Sequence, residues 1–110
     1  MEKIQIKKVA VIGSGIMGSR IACHLVNVGF EVILLDISPK ELNEKELKNK
    51  KKLTDKEVKN RIVNEALLTA VNSKPSPLFK KEQHLKIITG NIDDDIKLVT
   101  TVDWIIEVVV

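Results

Sequence analysis

The chain has almost no sulfur chemistry and few aromatic rings. Cys23 is the one cysteine among 110 residues, which excludes a disulfide framework and a cysteine-based zinc pattern. Aromatics make up only 3%, with no tyrosine, and no recognised nucleic-acid module occurs, so nucleic acid is not expected as a partner. No apolar run approaches the length that crosses a bilayer, and charged residues follow Met1 where a leader would be apolar. The expectation is a cytoplasmic protein with no membrane partner.

Hydrophobic residues at 44% are enough for a core, and 30% charged residues suit a soluble surface. This length allows one small domain. The net charge of +3 and a pI near 9.0 look basic, but the excess is local. Between Lys40 and Arg61 nine Lys or Arg stand against five Asp or Glu, a surplus larger than that of the whole chain. Such a run reads as a solvated helical face or as a site for an anionic partner.

The most informative stretch is Lys8-Val-Ala-Val-Ile-Gly-Ser-Gly-Ile-Met-Gly18. Val9 to Ile12 show no polar alternation, as in a strand buried on both faces. Gly13-x-Gly15-x-x-Gly18 follows at once, and an apolar helical pattern then runs to Gly29. Gly13 allows a tight strand-to-helix turn, Gly15 lets a diphosphate approach the backbone, and Gly18 lets helix and strand pack closely. The free amides at the helix start then face the phosphates. A second apolar strand, Val32 to Leu35, ends at Asp36, where a carboxylate can accept from the adenosine ribose of NAD and repel the 2′-phosphate of NADP. Lys40 weakens that discrimination. A glycine turn that only tightens an α/β domain is the alternative.

Taken in order, residues 7–12 make a first strand and 15–28 a first helix, with Met17, Ile21, Leu25 and Val28 on one stripe. Cys23 lies in this helix as a small buried residue. Residues 31–36 make a second, parallel strand. Ser38-Pro39 reads as a cap and first helical position, and a further helix spans about 55–71 with Thr54 or Asp55 as its cap. Residues 40–75 are thus a helical excursion, closed by the turn Lys74-Pro-Ser-Pro77. Leu85–Thr89 is a third strand and Gly90-Asn91 a turn. Asp93-Asp-Asp95 is read as the start of a capped helix and not as a metal site. His24 and His84 read as solvated surface.

Trp104–Val110 is a fourth strand, and Trp104 a packing residue beside the sheet. An apolar strand at the end of the chain, and four strands where a doubly wound sheet has six in the order 3-2-1-4-5-6, lead to the expectation of a fragment. The fold class expected is α/β: a Rossmann-type doubly wound parallel sheet, truncated to about four strands. Strand four is then an exposed edge that invites self-association.

Lys7–Gly18, the strand ending at Asp36, and Asp103-Trp-Ile-Ile-Glu-Val-Val-Val110 together resemble the start of an NAD-dependent 3-hydroxyacyl-CoA dehydrogenase. The resemblance covers nearly the whole chain, and the Gly-x-Gly-x-Met-Gly form with the later strand is its specific part. It implies that Gly13, Ser14, Gly15, Ile16, Met17 and Gly18 hold the diphosphate and that Asp36 holds the adenosine ribose. Val109 and Val110 would lie beside the nicotinamide half. It also implies an acyl-CoA substrate, oxidised to 3-oxoacyl-CoA in fatty-acid metabolism such as β-oxidation. The catalytic histidine, its glutamate partner and the C-terminal helical domain of such enzymes have no counterpart in these residues. The expectation is therefore a chain without catalytic residues. Two other readings stay open at this point. One is another NAD(P)-linked enzyme, such as a 3-hydroxyisobutyrate-type dehydrogenase. The other is a nucleotide-sensing or interaction module with no chemistry of its own.

Overall fold

The computed structural model describes residues 6–108. Four strands, β1 (Lys8–Ile12), β2 (Glu31–Asp36), β3 (Ile87–Asn91) and β4 (Trp104–Glu107), form one sheet in the order β3-β2-β1-β4. All three pairings are parallel, with Ile12 opposite both Leu35 and Glu107. The helices are α1 (Ile16–Asn27), α2 (Glu44–Lys48), α3 (Lys56–Lys59), α4 (Arg61–Val71) and α5 (Ile92–Asp95). Two 3-10 segments, Lys81–Lys86 and Ile96–Thr101, complete the connections around β3 and β4.

The missing polar alternation in β1 and β2 has its expected consequence. Val9, Val11, Val32 and Leu34 turn to one layer, where they meet Ala22, Cys23, Leu25 and Val26 of α1 and Val63, Leu67 and Val71 of α4. Ala10, Ile33 and Leu35 turn to the other, against Ile92, Leu98, Val99 and Val102. Full burial of a valine, leucine or isoleucine side chain among these stabilises by about 1.5–3 kcal/mol. The layers cover both faces, and the chain changes layer between β3 and β4. This is the α/β, Rossmann-like arrangement.

Helix α1 lies on the sheet by a different face from the one its apolar stripe suggests. Its buried residues are Gly18, Ser19, Ala22, Cys23, Leu25 and Val26, while Met17 and Val28 are 66% and 57% exposed. Gly18 must face the loop, so the residues at i+4 and i+7 from it follow inward, and the stripe through Met17 is turned away by one residue. Burial pushes the Cys23 thiol above its ordinary value of 9.0, so the residue is a small core group. The helix ends in paired bonds, Gly29 N to Val26 O and Phe30 N to Leu25 O, both 3.0 Å, with Gly29 at φ +101°.

The excursion departs from the sequence reading in two places. Ser38-Pro39 opens no helix; Asn43 does, accepting from Glu46 N at 2.8 Å while Glu46 Oε1 accepts from Asn43 N at 2.9 Å. Arg61 holds this segment against α4 through Glu41 O at 2.9 Å and Glu46 Oε1 at 3.4 Å, a tertiary tie that local spacing does not show. The expected helix over 55–71 is broken into α3 and α4 at Asn60. The Asn60 side chain is buried, and its Oδ1 accepts from Asn91 Nδ2 at 2.8 Å.

Strand β3 runs two residues later than expected. Gly90 and Asn91 pair with Leu35 and Asp36 inside the sheet and do not turn the chain. A Cβ on Gly90 would press on the Asp95 carboxylate and the Leu35 side chain, so the glycine serves close packing in a strand. The acidic triplet does form a capped helix, with Asn91 Oδ1 accepting from Asp94 N at 2.8 Å. His84, expected on the solvated surface, is half-buried in the segment before β3, and His24 is exposed. Trp104 and Ile105 are 49% and 44% exposed, so the tryptophan packs less than expected and β4 is an open apolar edge of the described sheet.

One carboxylate ties the N-terminal ends of β1 and β4. Asp103 Oδ2 accepts from Lys7 N at 2.9 Å and Lys8 N at 3.0 Å, and these bonds hold its pKa below the ordinary 3.8. A lowered folded-state value contributes stability that is fully present above the unfolded pKa and lost as pH falls through the folded one. We therefore expect stability to decline below about pH 4. In Asp103→Asn part of that decline should disappear, as read by urea denaturation at pH 3 and pH 7.

Candidate cofactor-binding site

The site forms where β1 hands over to α1, at the C-terminal ends of the strands and between β1 and β4. Gly13 turns the chain at φ +109°, its amide donating to Leu35 O at 2.8 Å, and a Cβ there would collide with the Val108 carbonyl. A Cβ on Gly18 would collide with the Gly13 carbonyl, so α1 starts in backbone contact with the loop. A Cβ on Gly15 would meet nothing within 4 Å. The three glycines therefore divide as the sequence suggests: two are required by the protein's own packing, and the middle one leaves space free.

That free space lies over the start of α1. Gly15 is the N-cap residue and brings no side chain to cap the helix, and the first turn contains no acidic residue. The amides of the first turn have no acceptor within the helix. The first intrahelical bond is Ser19 N to Gly15 O at 2.9 Å. The backbone at Gly15 thus offers donors and the positive end of a helix dipole to an anion that can come close. Ile16 and Met17, 83% and 66% exposed, flank the opening with apolar surface.

A polar network that sequence reasoning missed holds the loop. Ser14 is fully buried; its amide donates to Asp36 Oδ2 at 2.8 Å and its hydroxyl donates to the same oxygen at 2.5 Å. Ser19, also fully buried, donates its hydroxyl to Ser14 O at 2.5 Å. Asp36 Oδ1 accepts from Ile37 N at 2.7 Å. Asp36 therefore spends three acceptor positions on the protein, of the roughly four that a carboxylate has. The only sequence signal for this latch was a serine between two glycines and an acid at the next strand end.

Of the predicted site residues, Gly13 to Gly18 and Asp36 come together in one place. Val108 N donates to Ile12 O at 2.7 Å, which brings the end of β4 alongside the glycine loop. Val109 and Val110 lie outside the described residues. Both histidines are at the other end of the sheet: His24 in the last turn of α1, and His84 in the segment leading into β3. Among the described residues no group of three His, Cys, Asp or Glu side chains is placed to hold a metal, and no helix is long and apolar enough to cross a membrane.

A parallel sheet ordered 3-2-1-4, a glycine turn opening onto an uncapped helix, and an acid closing the second strand define the adenosine-side half of a dinucleotide-binding domain. The chain belongs to the family described as 3-hydroxyacyl-CoA dehydrogenase, NAD binding domain, whose model matches residues 8–110, and its cofactor is NAD. It is 44% identical over 105 residues to a protein of Bacillus subtilis named "Probable 3-hydroxyacyl-CoA dehydrogenase". It is 38% identical over 106 residues to a Rickettsia felis protein named for a fatty acid oxidation complex trifunctional enzyme. Each match takes in 96% of this chain but 13% of the relative's length. A solved diketoreductase aligns with a TM-score of 0.55 at 22% identity, over 97% of this chain and 33% of its own; at that identity the likeness is one of fold.

Proposed function

We propose that this chain is the NAD-binding part of a 3-hydroxyacyl-CoA dehydrogenase and that its own residues bind the cofactor without turning over substrate. The observation that carries the binding half is the open backbone at Gly15, where a Cβ would touch nothing, above a helix start that no side chain caps. Gly13 to Gly18 hold the diphosphate through backbone amides. Asp36 accepts one ribose hydroxyl with the acceptor position left to it, and its charge disfavours a 2′-phosphate there.

The whole enzyme oxidises 3-hydroxyacyl-CoA to 3-oxoacyl-CoA in fatty-acid metabolism. A nicotinamide bound there would supply the hydride acceptor for C3 of the substrate, and the hydroxyl proton would need a base. Neither histidine of this chain can be that base, because both sit at the opposite end of the sheet from the glycine loop. The lysines of the excursion suit the phosphates of a coenzyme A ester. Lys48, Lys50 and Lys52 are exposed, and Lys51 pairs with Glu57 at 3.1 Å.

The test is a calorimetric titration of the chain with NADH and, separately, NADPH. NADH should bind more tightly by about tenfold or more, consistent with a charged hydrogen bond worth about 1.5–3 kcal/mol. Asp36→Ala should remove the preference. Equal binding of the two cofactors by the unaltered chain would refute the role given to Asp36. Self-association through the β4 edge is part of the same proposal. A monodisperse monomer by light scattering at high concentration would count against it.

A further inference from the structure

The glycine loop and the ribose-reading acid are described as separate devices, yet here they share one carboxylate. Asp36 Oδ2 takes both donors of Ser14, at 2.8 and 2.5 Å, and Oδ1 takes Ile37 N at 2.7 Å. A carboxylate gripped on both oxygens cannot rotate about its terminal torsion, so the direction of its remaining lone pair is set by the protein before any cofactor arrives. We propose that Ser14 is a positioning residue for cofactor specificity. On this reading the buried hydroxyl of Ser14 aims Asp36 at a single ribose hydroxyl and so sets the preference between NADH and NADPH. The inference rests on the proposed ribose contact of Asp36.

The geometry separates this role from mere support of the loop. Two buried serine hydroxyls hold the same turn, but only one of them touches the acid. Ser19 donates to the Ser14 carbonyl at 2.5 Å and not to Asp36. Removing the Ser19 hydroxyl loosens the turn that faces the diphosphate, a part common to both cofactors. Removing the Ser14 hydroxyl leaves Asp36 Oδ2 with the Ser14 N bond alone, which loosens the hold on that oxygen without abolishing it. A freer carboxylate presents its charge less well to the ribose, and the part that distinguishes the cofactors suffers.

The experiment compares Ser14→Ala and Ser19→Ala in the 110-residue chain, titrating each with NADH and with NADPH after checking the fold by circular dichroism. Ser14→Ala should lower the ratio of NADH to NADPH affinity about tenfold, the size expected for one hydrogen bond to a charged group. Ser19→Ala should weaken both cofactors and keep the ratio. Should Ser14→Ala fail to fold, Ser14→Cys keeps a weak donor of similar size and should lower the ratio by a smaller factor. An unchanged ratio in the folded Ser14 variant overturns the positioning role and leaves the NAD reading intact. An unaltered chain that prefers neither cofactor overturns the ribose contact of Asp36, and this inference with it.

Discussion

Gly18→Val should leave no folded protein, whereas Gly15→Val on the same loop should keep the fold and lose the cofactor. A Cβ on Gly18 would be driven into the Gly13 carbonyl, which is backbone and cannot swing aside. Gly13 is itself fixed by its bond to Leu35 O at 2.8 Å and by the Val108 carbonyl beside it. Relief therefore requires α1 to lift from the sheet, exposing Ala22, Cys23 and Val26, all of which are at most 3% exposed. A loss above about 4 kcal/mol is the expected scale for such overpacking against backbone. Against a typical total of about 5–15 kcal/mol that is enough to unfold a small domain.

At Gly15 the same atom meets nothing within 4 Å, and φ is an ordinary −54°. Gly15→Val should cost the fold only about 1 kcal/mol of capping preference. Its side chain would nevertheless occupy the space over the first amides of α1. Thermal melts and NADH titration of both variants separate the cases. A native-like melting temperature for Gly18→Val would show that the helix does not need its close approach to the loop. Normal NADH binding by Gly15→Val would show that the diphosphate lies elsewhere.

The parts of this molecule legible in its sequence are those whose cause is local. A continuous apolar run announces a strand buried on both faces, and β1 and β2 are both that. A glycine turn between strand and helix announces the close approach of α1 to the loop, because Gly18 answers to the Gly13 carbonyl a few residues away. The illegible parts depend on groups far apart in the chain. Met17, Ile21, Leu25 and Val28 make a valid helical stripe, yet the required approach of Gly18 to Gly13 decides which face of α1 lies inward. Ser38-Pro39 has the chemistry of a helix start, but Arg61 draws the segment onto α4 and the cap moves to Asn43. Gly90-Asn91 looks like a turn until Leu35 and Asp36 are placed beside it as a strand partner. At the site, an acid at the end of the second strand is legible as Asp36, the proposed ribose acceptor, while its commitment to Ser14 depends on two strand ends meeting in space.

The other substitution with a large expected effect is Asn91→Ala, at a position where the sequence suggested only a turn. Asn91 is fully buried at the end of β3, opposite Asp36 in register. Its Oδ1 accepts from Asp94 N at 2.8 Å and caps α5, and its Nδ2 donates to Asn60 Oδ1 at 2.8 Å. A weaker bond from Nδ2 reaches Asp94 Oδ2 at 3.3 Å. One side chain thus joins both layers of the sheet, since Asn60 opens α4 on one face and α5 begins the crossing to the other. Alanine removes a helix cap, worth about 0.5–2 kcal/mol, and strands the buried Asn60 oxygen, at about 1–3 kcal/mol. A total near 2–4 kcal/mol is expected, a large share of the stability of a small domain. Asn60→Ala should cost less, because Asn91 keeps its cap on α5 and its contact with Asp94. The double variant should then cost less than the two single variants added, by at least about 0.5 kcal/mol of coupling. Urea denaturation followed by the single tryptophan, Trp104, reads this from the far edge of the sheet, so a shifted midpoint reports cooperative unfolding and not a local change. Strict additivity would mean that the 2.8 Å bond between the two asparagines contributes nothing, and that the excursion is held to the sheet by apolar packing and by its other polar ties, such as Thr89 Oγ1 to Asn64 Oδ1 at 2.6 Å.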